Sequence, residues 1–355
     1  MTGASVTRRP NRFETASMAA AAVCAALAAA LDVGSAPNTA VFLASGLALL
    51  TLAWIVGMAT EQLGESSGPK IGGVLNATFG NAAELIITIF AIRAGQLEVA
   101  TASITGSILG NTLLVLGASF VVGGVRHGTQ TFDRRVAGMS SSMLALAVIG
   151  LGVPTAFAAA RGTGPEVQTI SDVTAAVLIV LYVLSLVYLF RSGTGAHPPT
   201  GGLHWPARSA IALLLVATTA VAVLSDVFVG TLEGVIADIG ISAAFLGLVI
   251  VPIVGNIAEN IVAIKIAYQD RMDFSMLVSL GSSMQVALGV APILVFASLF
   301  TAHDFDLVFP TIQVIALAAA VTITALIAAD GESNWLEGAQ LMAVYVIVAT
   351  AFWYL

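Results

Sequence analysis

The chain has 355 residues, of which 58% are hydrophobic and 9% are charged, and its formal net charge is −7. Soluble globular domains average about 25% charged residues, so this composition excludes a soluble protein and is typical of a polytopic membrane protein. No basic cluster is present, which excludes a nucleic-acid-binding protein. The single cysteine, Cys24, excludes an intramolecular disulfide.

Long apolar runs dominate the chain from end to end. Runs of about 20 residues, separated by Gly, Pro and charges, predict an all-α fold with eleven transmembrane helices. In chain order these cover residues 16–33, 39–61, 70–93, 98–123, 136–158, 170–190, 208–228, 241–266, 273–299, 308–328 and 335–355. The first run follows three arginines and also fits a cleaved signal peptide, but its spanning length favours a retained helix.

The basic residues predict the orientation of these helices. With eleven spans, only Arg93 and Arg161 of the thirteen Lys and Arg residues fall on the side opposite the N-terminus. Cytoplasmic loops carry the excess of Lys and Arg, so the N-terminus is predicted to be cytoplasmic and the C-terminus outside. The lack of long tails favours a prokaryotic inner membrane.

A short polar motif occurs twice inside apolar segments. Gly80-Asn81-Ala82-Ala83-Glu84 and Gly255-Asn256-Ile257-Ala258-Glu259 are 175 residues apart (255 − 80), and Gly106-Ser107 matches Gly281-Ser282 at the same offset. Each copy belongs to a half with five predicted spans, and an odd number of spans inserts the two halves upside down relative to each other. Inverted repeats are the usual construction of secondary transporters.

The repeat defines the predicted domain organisation. Residues 1–34 form an N-terminal tail and helix 1, and residues 35–191 form the first five-helix repeat. Residues 192–206, rich in Gly, Pro and Thr, form a cytoplasmic linker. Residues 207–355 form the second, inverted repeat.

Glu84 and Glu259 are the candidate functional residues, because a carboxylate within a transmembrane segment is costly and functional by default. The motif glycines allow the helix to unwind or allow another backbone to approach closely, and a broken helix releases carbonyl groups. Oxygen ligands of this kind suit Ca²⁺ or Mn²⁺ and do not suit a soft metal. The candidate metal ligands are Glu84, Glu259, Asn81, Asn256, Ser107, Ser282 and Gln285.

Two carboxylates also predict coupling to protons. With both Glu84 and Glu259 ionised, a site carries two negative charges and balances one divalent cation; with both protonated, it is neutral and empty. An empty, doubly ionised site cannot cross the membrane cheaply. This rule predicts exchange of a divalent cation against H⁺, although Na⁺ could neutralise the site in the same way.

At these motifs the chain resembles the CAX family of cation/proton antiporters, in the cation/Ca²⁺ exchanger superfamily. The similar segments are 80–89, 106–117, 247–259 and 281–288. The resemblance implies one helix followed by two inverted five-helix repeats, and Ca²⁺ and H⁺ as substrates with no cofactor. It also implies that Glu84 and Glu259 bind the cation and the protons alternately. Two departures are Asn260, where family members often have His, and a linker without an acidic helix.

Other functions stay open to different degrees. A Na⁺/Ca²⁺ exchanger on the same scaffold is the main alternative. The Gly-Asn motifs favour proton coupling instead, as does the lack of a central acidic residue in the predicted spans 98–123 and 273–299. An enzyme is not expected, because no His-Glu-x-x-His motif is present and all four histidines map to loops. The lipid bilayer is the expected surrounding, no nucleic acid is expected, and a homo-oligomer stays open.

Overall fold

The computed structural model describes residues 8–67, 69–192 and 205–355, and helices account for almost all of them. Most of the predicted linker, with His197 and His204, lies outside these residues. The helices are α1 Arg12–Val33, α2 Asn38–Ser67, α3 Pro69–Phe79, α4 Ala82–Arg93, α5 Leu97–Leu109, α6 Leu116–His127, α7 Arg134–Arg161, α8 Pro165–Ser192, α9 Ala207–Gly230, α10 Leu232–Ile239, α11 Ala243–Phe245, α12 Val251–Tyr268, α13 Met272–Gln285, α14 Ala291–Ser298, α15 Thr311–Ile327 and α16 Trp335–Trp353.

Within the described residues, nine helical segments are long and apolar enough to cross a membrane. They are Arg12–Val33, Asn38–Ser67, Leu97–His127, Arg134–Arg161, Pro165–Tyr188, Ala207–Gly230, Ala243–Tyr268, Met272–Ser298 and Trp335–Trp353. The two other predicted spans are also helical. One is divided into α3 and α4, and the other is α15, an apolar helix of 17 residues.

Apolar side chains on the outside of the protein identify the lipid-facing surfaces. In α8, Val173, Val177, Val180, Leu184 and Val187 are all more than 40% exposed. Their spacing of three or four residues places them on one helix face. Such a continuous exposed apolar face suits hydrocarbon and not water, so this is an integral membrane protein.

The described residues divide into two compact units that do not coincide with the sequence halves. The first contains those of Met1–Phe90, Val183–Gly240 and Val254–Ala258. The second contains Ala91–Tyr182, Ile241–Ile253 and Glu259–Leu355. Each unit therefore combines helices from both halves of the chain.

In the first unit, α2 packs along α9, and α1 packs on α2. Phe42 and Phe228 stack with ring centroids 4.8 Å apart. Near the start of α1, Glu14 accepts hydrogen bonds from both terminal nitrogens of Arg8 and from the Trp205 indole at 3.3 Å. The backbone N–H of Trp205 donates to Gln62 at 3.1 Å, so this network ties α1 to α2 and to the segment before α9.

In the second unit, glycines allow close helix crossings. A Cβ on Gly117 of α6 would lie 2.8 Å from the carbonyl oxygen of Gly338 in α16. A Cβ on Gly247 would lie 2.5 Å from the carbonyl oxygen of Val99 in α5. A short antiparallel pair, β1 (Gln130–Thr131) and β2 (Glu332–Ser333), joins two turns and is an addition to the predicted all-α fold.

Three π-helical segments interrupt the long helices of the second unit. They are Gly110–Val115 between α5 and α6, Leu246–Ile250 between α11 and α12, and Val286–Val290 between α13 and α14. Pro252 and Pro292 lie two residues after the ends of two of them. Proline has no N–H to donate to the preceding turn, which favours such a local widening of the helix.

Candidate functional site

Glu84 lies in the first unit, at the point where a predicted span is broken. The chain leaves α3 at Phe79, turns through Gly80 and Asn81, and enters α4, in which Glu84 is the third residue. The predicted unwinding at the motif glycine is therefore present in this half. Glu84 therefore lies in the first turn of α4. The Glu84 side chain is completely buried.

The second copy of the motif contacts Glu84 directly. The Asn256 side-chain amide donates a hydrogen bond to Glu84 Oε2 at 3.3 Å. A Cβ on Gly255 would lie 3.1 Å from the Glu84 Cβ and 3.2 Å from its Cα. Gly255 therefore lets α12 approach α4 closely enough for Asn256 to reach the carboxylate. In this half α12 runs through the motif unbroken, so of the two roles predicted for the motif glycine, Gly255 has the close approach and not the unwinding.

Glu259 lies in the second unit, in the middle of α12, and is bonded by a different set of groups. The Ser282 hydroxyl of α13 forms a hydrogen bond with the Glu259 carboxylate. The Asn111 amide donates to Ser282 Oγ at 3.0 Å. Because Ser282 accepts from Asn111, its own proton is available to the carboxylate. Asn111 lies in the π-helical segment between α5 and α6, and such segments are frequent at functional sites.

One oxygen of Glu259 is left without a hydrogen bond. Oε2 is buried and has no partner within the described part of the chain. No ion pair involves Glu259 in that part of the chain either. The same holds for Asn260 Oδ1, which is buried and lacks a hydrogen-bond partner in that part of the chain. A buried carboxylate without a cationic neighbour is a candidate to bind a cation or a proton.

The structure places the predicted site residues in two groups. Asn256 joins Glu84, and Ser282 joins Glu259. Asn81 and Ser107 are both buried, and Gln285 is the last residue of α13 and half-buried. The assignment of Asn81, Ser107 and Gln285 to the site stays a prediction. Among the described residues, no three His, Cys, Asp or Glu side chains come together as metal ligands.

Two further residues, Asn111 and Tyr182, interact with Glu259 or with its partner Ser282, and the sequence contained little indication of this. Asn111 was recognisable only as one of several polar residues in its span. Tyr182 of α8 contacts Gly289, with a ring carbon 3.3 Å from a Cβ built there, and interacts electrostatically with Glu259. The available sequence signal was a lone tyrosine in the run Leu178-Ile-Val-Leu-Tyr182.

The profile of the sodium/calcium exchanger protein family matches residues 37–191 and 209–354 of the chain. The chain belongs to this family. A Ca²⁺/H⁺ antiporter of Synechocystis sp. is 41% identical over 341 residues, covering 89% of this chain and 91% of the relative. The Ca²⁺/H⁺ antiporter ChaA of Bacillus subtilis is 38% identical over 328 residues, covering 90% and 93%. The predicted membership of the CAX group is confirmed, and the protein is a membrane transporter and not an enzyme.

Solved structures agree with this membership. The Ca²⁺/H⁺ antiporter YfkE superposes with a TM-score of 0.83 at 36% identity, covering 97% of this chain and all of that one. The sodium-calcium exchanger NCX_Mj superposes with a TM-score of 0.57 at 18% identity, covering 90% of this chain and 98% of that one. The second likeness shows a shared fold only.

Proposed function

We propose that this protein exchanges Ca²⁺ for H⁺ across the membrane by alternating access. The observation that carries the proposal is the pair of motif glutamates, each held by polar groups within an apolar helix. Glu84 accepts from Asn256, and Glu259 bonds Ser282 and has no ion-pair partner within the described chain. The names of the relatives supply the substrate class, because each is a Ca²⁺/H⁺ antiporter.

In this proposal Glu84 and Glu259 bind the cation and the protons in turn. Carboxylate, amide and hydroxyl oxygens match the hard ligands that Ca²⁺ requires. We assign Asn81, Asn256, Ser107, Ser282 and Gln285 as the further oxygen ligands.

The proposed coupling follows from charge balance. Two ionised glutamates neutralise one divalent cation, and two protonated glutamates need none, so both forms can cross a low-dielectric barrier. An empty site with two negative charges is too costly to cross. In this proposal protons neutralise the empty site for the return step, and two glutamates give at least two H⁺ for each Ca²⁺.

The proposal includes a membrane topology for the transporter. It consists of eleven spans, with helix 1 followed by inverted repeats over residues 35–191 and 207–355. The distribution of Lys and Arg supports a cytoplasmic N-terminus and an external C-terminus. A prokaryotic inner membrane is the proposed location.

Transport in sealed vesicles tests this function. We expect the purified protein to accumulate ⁴⁵Ca²⁺ when a pH gradient is imposed in sodium-free buffer, because protonation of the glutamates drives the return step. Empty vesicles and vesicles treated with a protonophore are the controls. Uptake that begins only when a sodium gradient is added would contradict proton coupling and identify a Na⁺/Ca²⁺ exchanger.

The bond from Asn111 to Ser282 yields a prediction on affinity. We expect Asn111→Ala to raise the Ca²⁺ concentration for half-maximal uptake by about three- to tenfold, since it removes one buried hydrogen bond that orients the Ser282 hydroxyl. Concentration dependence of ⁴⁵Ca²⁺ uptake measures the change. Thr112→Val is the matched control, because Thr112 bonds only its own helix, at the Ile108 and Leu109 carbonyls. Equal Ca²⁺ affinity in the Asn111→Ala and Thr112→Val variants would show that Asn111 does not contribute to Ca²⁺ binding.

A further inference from the structure

Two serine hydroxyls on one face of α13 are buried without a hydrogen bond. Ser275 is 0% exposed and Ser279 is 1% exposed, and neither Oγ has a partner among the described residues. Buried polar groups in proteins are almost always satisfied by protein or by ordered water. A helical serine normally donates to the carbonyl four residues back, as Ser283 does to Ser279 at 3.0 Å. The hydroxyls of Ser275 and Ser279 do not, so they are candidates to bond buried water.

These hydroxyls are aligned with the one that bonds Glu259. Ser275, Ser279 and Ser282 are separated by four and three residues, so they form a stripe along one face of α13. At about 1.5 Å of rise per residue, the stripe extends about 10 Å from Ser282 towards the start of the helix. There the chain reaches Asp270 and Asp273, which are exposed.

The neighbouring helices add two more hydroxyls of the same kind. α13 packs against α6 and α7. Ser119 of α6 is 0% exposed and Ser141 of α7 is 3% exposed, and neither Oγ has a hydrogen-bond partner in the described ranges. With Ser275 and Ser279, they place four such hydroxyls on α13 and on the two helices that pack against it, and a buried water is bonded by several polar groups of this kind.

The first half of the chain lacks this stripe. At the repeat offset of 175, Ser282 corresponds to Ser107, but Ser275 corresponds to Ala100 and Ser279 to Ile104. Both are fully buried apolar residues in α5. The shared architecture of the halves therefore does not require hydroxyls at these positions, and helix packing does not explain them.

We propose that Ser275 and Ser279 line a narrow water path that delivers protons to Glu259 from the end of α13 near Asp270 and Asp273. This inference rests on the proposed function and adds a proton route that serves one of the two glutamates. Asp270 and Asp273 are exposed at this end of the helix, so the path begins at bulk water. A hydronium ion there donates a proton to the water chain and becomes water. The last water of the chain donates a proton to the Glu259 carboxylate, so atoms and charge balance.

The lining of this path favours protons over the cation. Ca²⁺ requires six to eight oxygen ligands and usually carboxylates among them. The stripe contains hydroxyls and no acidic residue between Asp273 and Ser282. A cation entering it would lose its hydration without compensation. Protons need only a hydrogen-bonded chain of waters.

Transport measured in two modes tests the path. Proton-driven ⁴⁵Ca²⁺ uptake requires proton delivery to Glu259, whereas exchange of ⁴⁵Ca²⁺ for unlabelled Ca²⁺ at one pH does not. We expect Ser279→Val and Ser275→Val to lower the proton-driven rate about fivefold or more, as expected for loss of a buried hydrogen bond on the route. The rate of exchange of ⁴⁵Ca²⁺ for unlabelled Ca²⁺ in these variants should stay within about twofold of the wild-type rate, because this mode does not use the proton path.

Ser283→Val is the matched control, because Ser283 is equally buried in the same helix but bonds its own backbone. Ser279→Thr keeps the hydroxyl and should restore the proton-driven rate. A loss of both transport modes in Ser279→Val, or no difference from Ser283→Val, would overturn the path. Wild-type protein that fails to take up ⁴⁵Ca²⁺ with a pH gradient would instead overturn the proposed function itself.

Discussion

Replacing either motif glutamate with glutamine is expected to abolish proton-driven Ca²⁺ uptake. Glutamine has nearly the same shape but no charge, so Glu84→Gln or Glu259→Gln leaves one negative charge against a divalent cation. Leaving a buried charge uncompensated costs about 3 kcal/mol or more, which corresponds to about a hundredfold loss. Initial rates of ⁴⁵Ca²⁺ uptake in sealed vesicles measure the effect. Glutamine also has no proton to exchange, so raising the Ca²⁺ concentration should not restore coupling.

Folding can be separated from transport in these variants. The Asn256 amide that donates to Glu84 can donate equally well to the carbonyl oxygen of a glutamine. Thermal stability and gel-filtration profile should therefore match the wild type. Glu166→Gln, at an exposed position near the start of α8, is the control for a glutamate outside the site and should transport normally. Substantial uptake by either motif variant would contradict the two-carboxylate mechanism.

Gly106→Ala is expected to have the largest effect on stability. A Cβ at this position would lie 2.1 Å from the carbonyl oxygen of Leu248 and 2.5 Å from its Cα. These are backbone atoms of the π-helical segment between α11 and α12, so no side-chain rotation relieves the clash. Overpacking of a closed core costs about 1–3 kcal/mol and more where the backbone has to move. The variant should lose most of its folded yield, measured by detergent gel filtration and thermal denaturation.

The second repeat provides the matched control for this glycine. Gly281 corresponds to Gly106 at the offset of 175, yet a Cβ there would meet no atom within 4 Å. Gly281→Ala should leave the melting temperature unchanged or raise it, since alanine is favoured over glycine in helices by up to about 1 kcal/mol. Equal stability of the two variants would show that the crossing of α5 with Leu246–Ile250 is not closely packed.

The helical segments of this protein could be predicted from the sequence because the bilayer restricts which residues and which backbone structures can lie within it. Charge is costly in hydrocarbon, so long uncharged runs indicated the helices, and all eleven predicted segments contain a helix. The same cost makes a carboxylate in such a run conspicuous, which identified Glu84 and Glu259. The repeat of the Gly-Asn-x-x-Glu motif paired them, and a family profile matches both halves. The inverted arrangement of the halves and the external C-terminus stay predictions.

Other features depend on which backbone groups meet in three dimensions. No local pattern states that Asn256 bonds Glu84, that Asn111 orients Ser282, or that Gly106 meets the Leu248 carbonyl. Each of these contacts joins residues more than 140 positions apart, and the partner of a polar group is set by packing. The sequence by itself determined the membrane class and the helices and proposed two carboxylates as site residues, because burial of charge and backbone in lipid leaves few alternatives. Only the tertiary structure decided which hydroxyls and amides are satisfied, since hydrogen bonds require distances and angles that composition does not contain.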